Sequence, residues 1–386
     1  MRKPLILSLI WSLTAVAVLP VIFRWAVPPP ATGRIAYLLQ GFSYLVPLVI
    51  CYCIYRAESR HLAWPQAISL VFLVFLLASV TNSIHGYMVD HAAGTTPDYS
   101  NLIFQLRVHD SVMQLSPVAV PHSYRFLPNS IVRWMQLAHM GFEPARDLYR
   151  QICGILLFYA IYRYARLYTG FSGAIAAMLL TAIVHPVSFE IYRGQLTDPL
   201  SHLSFVLSFI FLETGDFASL LSTLLIGSLA KETVLAMAGY YVLFCRKERN
   251  YRLKVLVLCL ASVTMYFGVR VFVLKGLMHY GQVSGVGREH VWSSLQPGLW
   301  PARFLMTAGA FAPFLALGWE KTPLSLKRQV FFLLPVLFIS SLVFSWLHET
   351  RNFMPLVFVL AVVTGRYLFG GSSETKSPAT QSVTDV

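Results

Sequence analysis

The chain has 386 residues, of which 56% are apolar and 12% charged, with a mean hydropathy of +0.62. A soluble domain carries about 45–50% apolar residues and about 25% charged ones, so this composition excludes a soluble protein and points to a polytopic membrane protein. The net charge of +13 fits cytoplasmic Lys/Arg and contact with anionic membrane lipid, and no stretch has the pattern of a nucleic-acid-binding module.

In chain order, Met1-Arg2-Lys3 is followed by an apolar run to Phe23. It is too long for a signal-peptide core and has no small-x-small cleavage site, so it is read as an uncleaved first membrane helix. Further spans are predicted at roughly 34–55, 65–83, 150–167, 171–188, 197–212, 217–230, 233–245, 255–274, 302–319, 329–347 and 353–369, which makes about twelve crossings. The pair 217–230 and 233–245 is short and flanks Lys231-Glu232. It reads either as one long helix with a buried ion pair or, preferred here, as two short helices. The five cysteines lie in or beside apolar runs without zinc spacing, and no disulfide is expected.

Orientation follows the short-loop cations. Arg56/Arg60, Arg163/Arg166, Lys321/Lys327/Arg328 and the run Arg246 to Lys254 fall on one side only if Lys231-Glu232 marks a turn. Residues 1–370 then form one transmembrane domain, and 371–386 a disordered cytoplasmic tail. The other side collects the 84–147 loop, His185 to Asp198, Lys231-Glu232, the 276–301 loop and His348 to Arg351. Ionisable groups are costly at a membrane and mark a site when they gather on one face.

The longest polar interval is Asp98 to Pro128, DYSNLIFQLRVHDSVMQLSPVAVPHSYRFLP. It holds carboxylates (Asp98, Asp110), imidazoles (His109, His122) and guanidiniums (Arg107, Arg125), with His109-Asp110 read as a possible local hydrogen-bonded pair. After it, Ile131, Trp134, Met135, Ala138 and Phe142 recur at helical spacing, predicting an amphipathic interfacial helix between Asn129 and Phe142. Such a helix either shapes a lipid groove or roofs the bundle. The Gly276 to Gly298 stretch reads as a flexible lid or as simple disorder. Trp292, Trp300, Trp346 and Tyr280 are belt aromatics that also suit sugar stacking.

Five motifs stand in a fixed order: Asp98-Tyr99; Tyr124-Arg125-Phe126-Leu127-Pro128; Gly194-Gln195-x-x-Asp198 at the start of a helix; Lys231-Glu232-Thr233; and Glu349-x-Arg351-x-x-x-Pro355. Their order and common placement resemble the GT-C superfamily of integral membrane glycosyltransferases over roughly residues 84–369. In that superfamily the catalytic loop usually follows the first helix, whereas here two more predicted helices precede it. The resemblance implies an all-α transmembrane bundle with short outer-face loop helices. It also implies transfer of a sugar from a polyprenyl-phosphate donor to an acceptor (protein, lipid or glycan) on the non-cytoplasmic side of a bacterial inner membrane.

The attacking hydroxyl must lose a proton, which suits a carboxylate base. Asp98 matches the family's first-loop aspartate, with Asp90 and Asp110 in reserve. The leaving lipid phosphate needs cations in a water-poor setting; Arg125, Lys231 and Arg351 are the candidates, and interfacial snorkelling is the alternative for each. His122, Gln195, Asp198 and Glu232 are candidates for sugar or acceptor contacts; orienting Lys231 is the plainer role for Glu232 and simple solvation for His122. No cofactor is expected; with no Asp-x-Asp pair, Asp198 and His202, four residues apart, are the one place where a divalent metal is weighed. A transporter or flippase for an anionic lipid or solute is the alternative, disfavoured because the charges gather at one face and the halves show no repeat. A third reading, an outer-face glycan polymerase or ligase, shares the donor class.

Overall fold

A computed structural model of the chain describes residues 34–90, 100–114, 124–188, 195–269, 302–345 and 349–370, with single positions between. Among the described residues there are thirteen α-helices and no strand. They are α1 (Arg34–Glu58), α2 (Trp64–Asp90), α3 (Ser100–Met113), α4 (Phe126–Leu137), α5 (Phe142–Arg166), α6 (Phe171–Val187), α7 (Thr197–Thr214), α8 (Phe217–Ser228), α9 (Ala236–Phe244), α10 (Tyr251–Gly268), α11 (Ala302–Gly318), α12 (Leu324–Phe344) and α13 (Met354–Phe369). Single 3-10 turns, Glu232–Leu235 and Thr350–Phe353, lead into α9 and α13. The first apolar run, most of the 276–301 loop and the 371–386 tail lie outside the described residues.

Four segments are long and apolar enough to cross a membrane: Trp64–Tyr87, Tyr251–Gly268, Leu324–Val343 and Thr350–Phe369. On α10, Leu253, Leu256, Leu260, Val263 and Phe267 are exposed at alternating spacings of three and four, a continuous apolar stripe that suits hydrocarbon. The protein is therefore a membrane-embedded helical bundle. Among the described residues the other predicted spans are occupied by helices as well, but α8, with 12 residues, is only about 18 Å long against a hydrocarbon core of about 30 Å.

The bundle centres on α5, α6, α7 and α13. The most extensive helix contact is α6 on α13, and small residues make it possible. A Cβ on Gly173 would sit 3.0 Å from the Gly365 carbonyl oxygen, and one on Gly365 would run into the Gly173 carbonyl. Backbones at this distance give the dispersion contact that replaces the hydrophobic drive inside a membrane.

Polar contacts fix the direction of each helix. Glu58, at the end of α1, pairs with Arg163 near the end of α5 at 3.0 Å. Glu213, at the end of α7, accepts from Gln329 in the second turn of α12 at 2.9 Å. Arg366, near the end of α13, donates to the Tyr168 carbonyl after α5 at 2.5 Å. These residues mark one end of the bundle, together with Lys254, which pairs with Glu248. The opposite ends of the same helices, with α2, α6 and α8, gather at the other pole. The chain turns at Lys231, which is extended between α8 and the 3-10 turn that leads into α9.

Two loop helices cover that second pole, where the sequence suggests one. α4 begins at Phe126, three residues before the expected start, because Pro128 is tolerated in a first turn whose amide has no helical acceptor. It ends at Leu137, and Phe142 opens α5 instead. Its buried face is Phe126, Leu127, Pro128, Asn129, Ser130 and Val132, and Trp134 is exposed. α3, which precedes it, has no apolar stripe strong enough to be seen in the sequence.

Candidate functional site

At the second pole, four motifs separated by up to 226 positions (Arg125 to Arg351) meet through ion pairs, buried at Asp198 and partly exposed between Arg125 and Glu232. Asp198, in the first turn of α7, is fully buried. Its Oδ2 accepts from Arg351 NH1 at 2.7 Å and its Oδ1 from Lys231 Nζ at 3.3 Å. Arg351 also donates from Nε and NH2 to Glu349 Oε2, at 3.2 and 2.9 Å. Lys231 donates to Asn352 Oδ1 at 2.8 Å, and Asn352 donates to Glu349 Oε2 at 3.1 Å. Two cations and two carboxylates thus form a closed network.

Local backbone explains the placement of Lys231. After α8 the amides of Ala230 and Lys231 both bond to the Gly227 carbonyl, at 3.0 and 2.8 Å. Lys231 itself is extended (φ −159°, ψ 120°), which stops the helix and sends its side chain towards α7. Gly227 permits the close approach, since a Cβ there would lie 2.7 Å from Ser204 on α7. Burial pushes the Lys231 ammonium below the ordinary lysine value, and the Asp198 carboxylate opposes that shift.

The Tyr-Arg-x-Leu-Pro segment docks on this turn. Leu127 N–H donates to the Leu229 carbonyl at 3.3 Å. Arg125 forms a two-bond fork with Glu232, Nε to Oε2 at 2.9 Å and NH2 to Oε1 at 3.0 Å. Glu232 therefore faces Arg125, and the orienting partners of Lys231 are Asp198 and Asn352.

Other candidates stand apart. Asp98 and His122 lie outside the described residues, and Asp90 is the last residue of α2. Asp110 is exposed on α3. The ring nitrogens of His109 face residues of α4 and not Asp110: His109 is buried, with Nδ1 3.1 Å from Asn129 Oδ1 and Nε2 3.0 Å from Gln136 Oε1. It thereby ties α3 to α4, and burial pushes its imidazole below the ordinary histidine value. Gln195 is half-buried and accepts from Thr197 at 3.5 Å, whereas both carboxylate oxygens of Asp198 are engaged by cations.

Three histidines also gather at this pole, of which His85 carries no signal in the sequence. His202 Nε2 lies 3.1 Å from the Arg351 carbonyl, and its ring meets His185 edge-on at 5.7 Å. His85 on α2 is buried within electrostatic reach of Arg150, Arg146, His185 and Asp198. Among the described residues no group of three His, Cys, Asp or Glu is placed to hold a metal, and Asp198, weighed with His202 for that role, is held by Arg351 and Lys231. Beside the network, an apolar cavity of about 290 Å³ lies between α6, α11, α12 and α13, lined by Val184, Phe311, Leu334, Phe338, Phe353 and Val357 among others. Ser188 and Thr350, joined by a 3.3 Å hydrogen bond, stand at its edge.

No family model, curated protein or solved structure matches the chain.

Proposed function

We propose that this protein is an integral membrane glycosyltransferase of the GT-C type, with about twelve membrane helices. It moves a sugar from a polyprenyl-phosphate donor to an acceptor on the non-cytoplasmic face. The observation that carries this reading is the gathering of the Gln195–Asp198, Lys231–Glu232 and Glu349–Arg351 motifs around one buried ion network, with the Tyr124–Pro128 motif docked on it through the partly exposed Arg125–Glu232 fork, at one pole of the bundle. Structural ion pairs do not require all four motifs at a single pole; a site for a charged lipid head does. The apolar cavity next to Thr350 adds room for hydrocarbon beside the charges.

In this reading Asp98 takes the proton of the acceptor hydroxyl as the hydroxyl oxygen attacks the anomeric carbon. The bond from that carbon to the donor phosphate oxygen breaks, and polyprenyl phosphate leaves with the electron pair. Arg125, Lys231 and Arg351 each face a carboxylate already, so their role is to hold the pole's geometry and to share hydrogen bonds with the phosphate. Gln195, with His122, contacts sugar or acceptor. The acceptor class, whether protein, lipid or glycan, and the choice between single-sugar transfer and polymerisation follow from the assay below.

The test uses the full chain in lipid, a panel of polyprenyl-phosphate sugars and a membrane extract as acceptor source, and reads release of free polyprenyl phosphate. Release from one donor, lost in Asp98→Asn with donor binding retained, is the expected result. Full activity in Asp98→Asn moves the base to Asp90 or Asp110. Movement of an anionic lipid across vesicles without sugar release replaces the enzyme with a transporter.

A further inference from the structure

The pole away from the ion network carries a concentration of charge that sugar transfer does not use. Arg246, Lys247, Arg249 and Arg252 are all exposed on the turn from α9 into α10. The carboxylate within that turn is occupied: Glu248 accepts from the Tyr241 hydroxyl at 2.9 Å and from Lys254 Nζ at 2.5 Å. Lys254 in turn lies over the Phe217 ring, 5.4 Å from its centre, which brings Asp216 to the same corner. Asp216 is taken up by capping α8, accepting from the Ser219 amide at 3.2 Å and the Ser219 hydroxyl at 2.6 Å. Among the described residues no carboxylate pairs with the four exposed cations. Arg328 of α12, also exposed, joins them over the Phe244 ring at 5.7 Å, with Glu213 within its electrostatic reach.

The turn is a fixed platform. Asn250 is left-handed (φ 60°, ψ 28°), Tyr251 donates its hydroxyl to the Val242 carbonyl at 2.5 Å, and the Tyr241 and Tyr251 rings stack at 6.2 Å. Ordered backbone presents the cations, so less ordering entropy opposes a ligand. Arg252 stands one turn before Leu256 and therefore heads the exposed stripe Leu256, Leu260, Val263 and Phe267. The other face of α10, with Val257, Leu258, Ala261 and Met265, is buried in the bundle.

From this we propose that the α9–α10 turn and the outer face of α10 bind an anionic phospholipid, with its phosphate on the exposed cations and its acyl chains along the apolar stripe. Charge complementarity selects the occupant. At the end of a hydrocarbon-facing helix the anion that meets these cations is a lipid headgroup, and guanidiniums match its phosphate oxygens. A bias of cations to one side of a membrane needs only charged loops; it does not need an apolar track that continues from them. The site is at the opposite pole from the ion network and does not depend on the transfer reading.

The experiment places full-length protein in nanodiscs of mixed phosphatidylcholine and phosphatidylglycerol and counts the lipids it retains on release by native mass spectrometry. The wild type is expected to retain phosphatidylglycerol over phosphatidylcholine. Each cation near an anionic headgroup adds about five-fold in affinity, so Arg246→Gln/Arg249→Gln/Arg252→Gln is expected to lower that preference by about ten-fold or more. Arg56→Gln/Arg60→Gln, which removes exposed cations from another corner of the same pole, is expected to leave it unchanged. Equal retention of the two lipids by the wild type overturns the proposal, as does a wild-type preference in the triple variant. An equal loss in Arg56→Gln/Arg60→Gln means that bulk charge and not a site attracts the lipid, and overturns it too. Displacement of phosphatidylglycerol by soluble glycerol phosphate at matched concentration overturns the lipid as occupant. Where the triple variant fails to fold, Arg249→Gln/Arg252→Gln takes its place: a loss of about five-fold or more supports the site, and an unchanged preference overturns it.

Discussion

Asp198 and Arg351 are joined at 2.7 Å across 153 positions of sequence. The pair binds the first turn of α7 to the 3-10 turn that starts α13, and Lys231 closes it from a third direction. Removing Asp198 leaves buried Lys231 with only the neutral Asn352 and Arg351 with Glu349, and breaking a buried pair costs about 3–5 kcal/mol. Asp198→Ala is therefore expected to lower the unfolding temperature strongly in nanodiscs, whatever the donor. An unchanged melting curve refutes the structural role of the network.

The Arg125–Glu232 fork is a separate claim, because it docks the loop and leaves the helices alone. Both side chains are partly exposed, so the pair is screened and its coupling modest, about 0.5–2 kcal/mol. A double-mutant cycle with Arg125→Gln and Glu232→Gln reads it directly. The single variants are expected to loosen α4, seen as faster amide exchange over residues 126–137, with little change in α7 or α13. Additive single effects with no coupling energy would dissolve the contact.

Much of the pole was legible because charge in an apolar chain is conspicuous. Lys231-Glu232 between two short apolar runs predicts a break, and the structure breaks there. Arg351 and Asp198 stand out for the same reason. Which cation faces which carboxylate was not legible, since pairing depends on helix packing. Glu232 thus turns to Arg125 and not to its neighbour Lys231. Arg146 and Arg150 were hidden differently. They sit where the predicted span begins, and a helix entry rich in Arg looks like an interfacial anchor until burial is known. α3 escaped notice because its polar and apolar residues do not segregate into a clear stripe.

Helix packing at Gly365 gives a prediction free of electrostatics. A methyl group there runs into the Gly173 carbonyl, so Gly365→Ala must push α13 from α6. Overpacking of this kind costs about 1–3 kcal/mol. A lower melting temperature in Gly365→Ala, partly restored by no single change at Gly173 because that position is already minimal, is the expected pattern. Equal stability would mean that the helices slide without cost.

His109 supplies the pH dependence. Burial holds its imidazole below the ordinary value, against the opposing pull of Asn129 Oδ1 and Gln136 Oε1, which face its two ring nitrogens. A folded value below the unfolded one means that the unlocked α3–α4 contact binds the extra proton. The contact is fully stable above the ordinary histidine value of about 6.5, and it weakens as pH falls below that until the folded group titrates as well. Amide exchange over residues 100–113 is expected to speed up on acidification from about pH 7.5 to about pH 5.5. His109→Gln, which keeps hydrogen bonding without a titrating group, is expected to flatten that dependence. If the acceleration persists in His109→Gln, the proton acts elsewhere, and His109 is a packing residue whose charge state does not govern the loop.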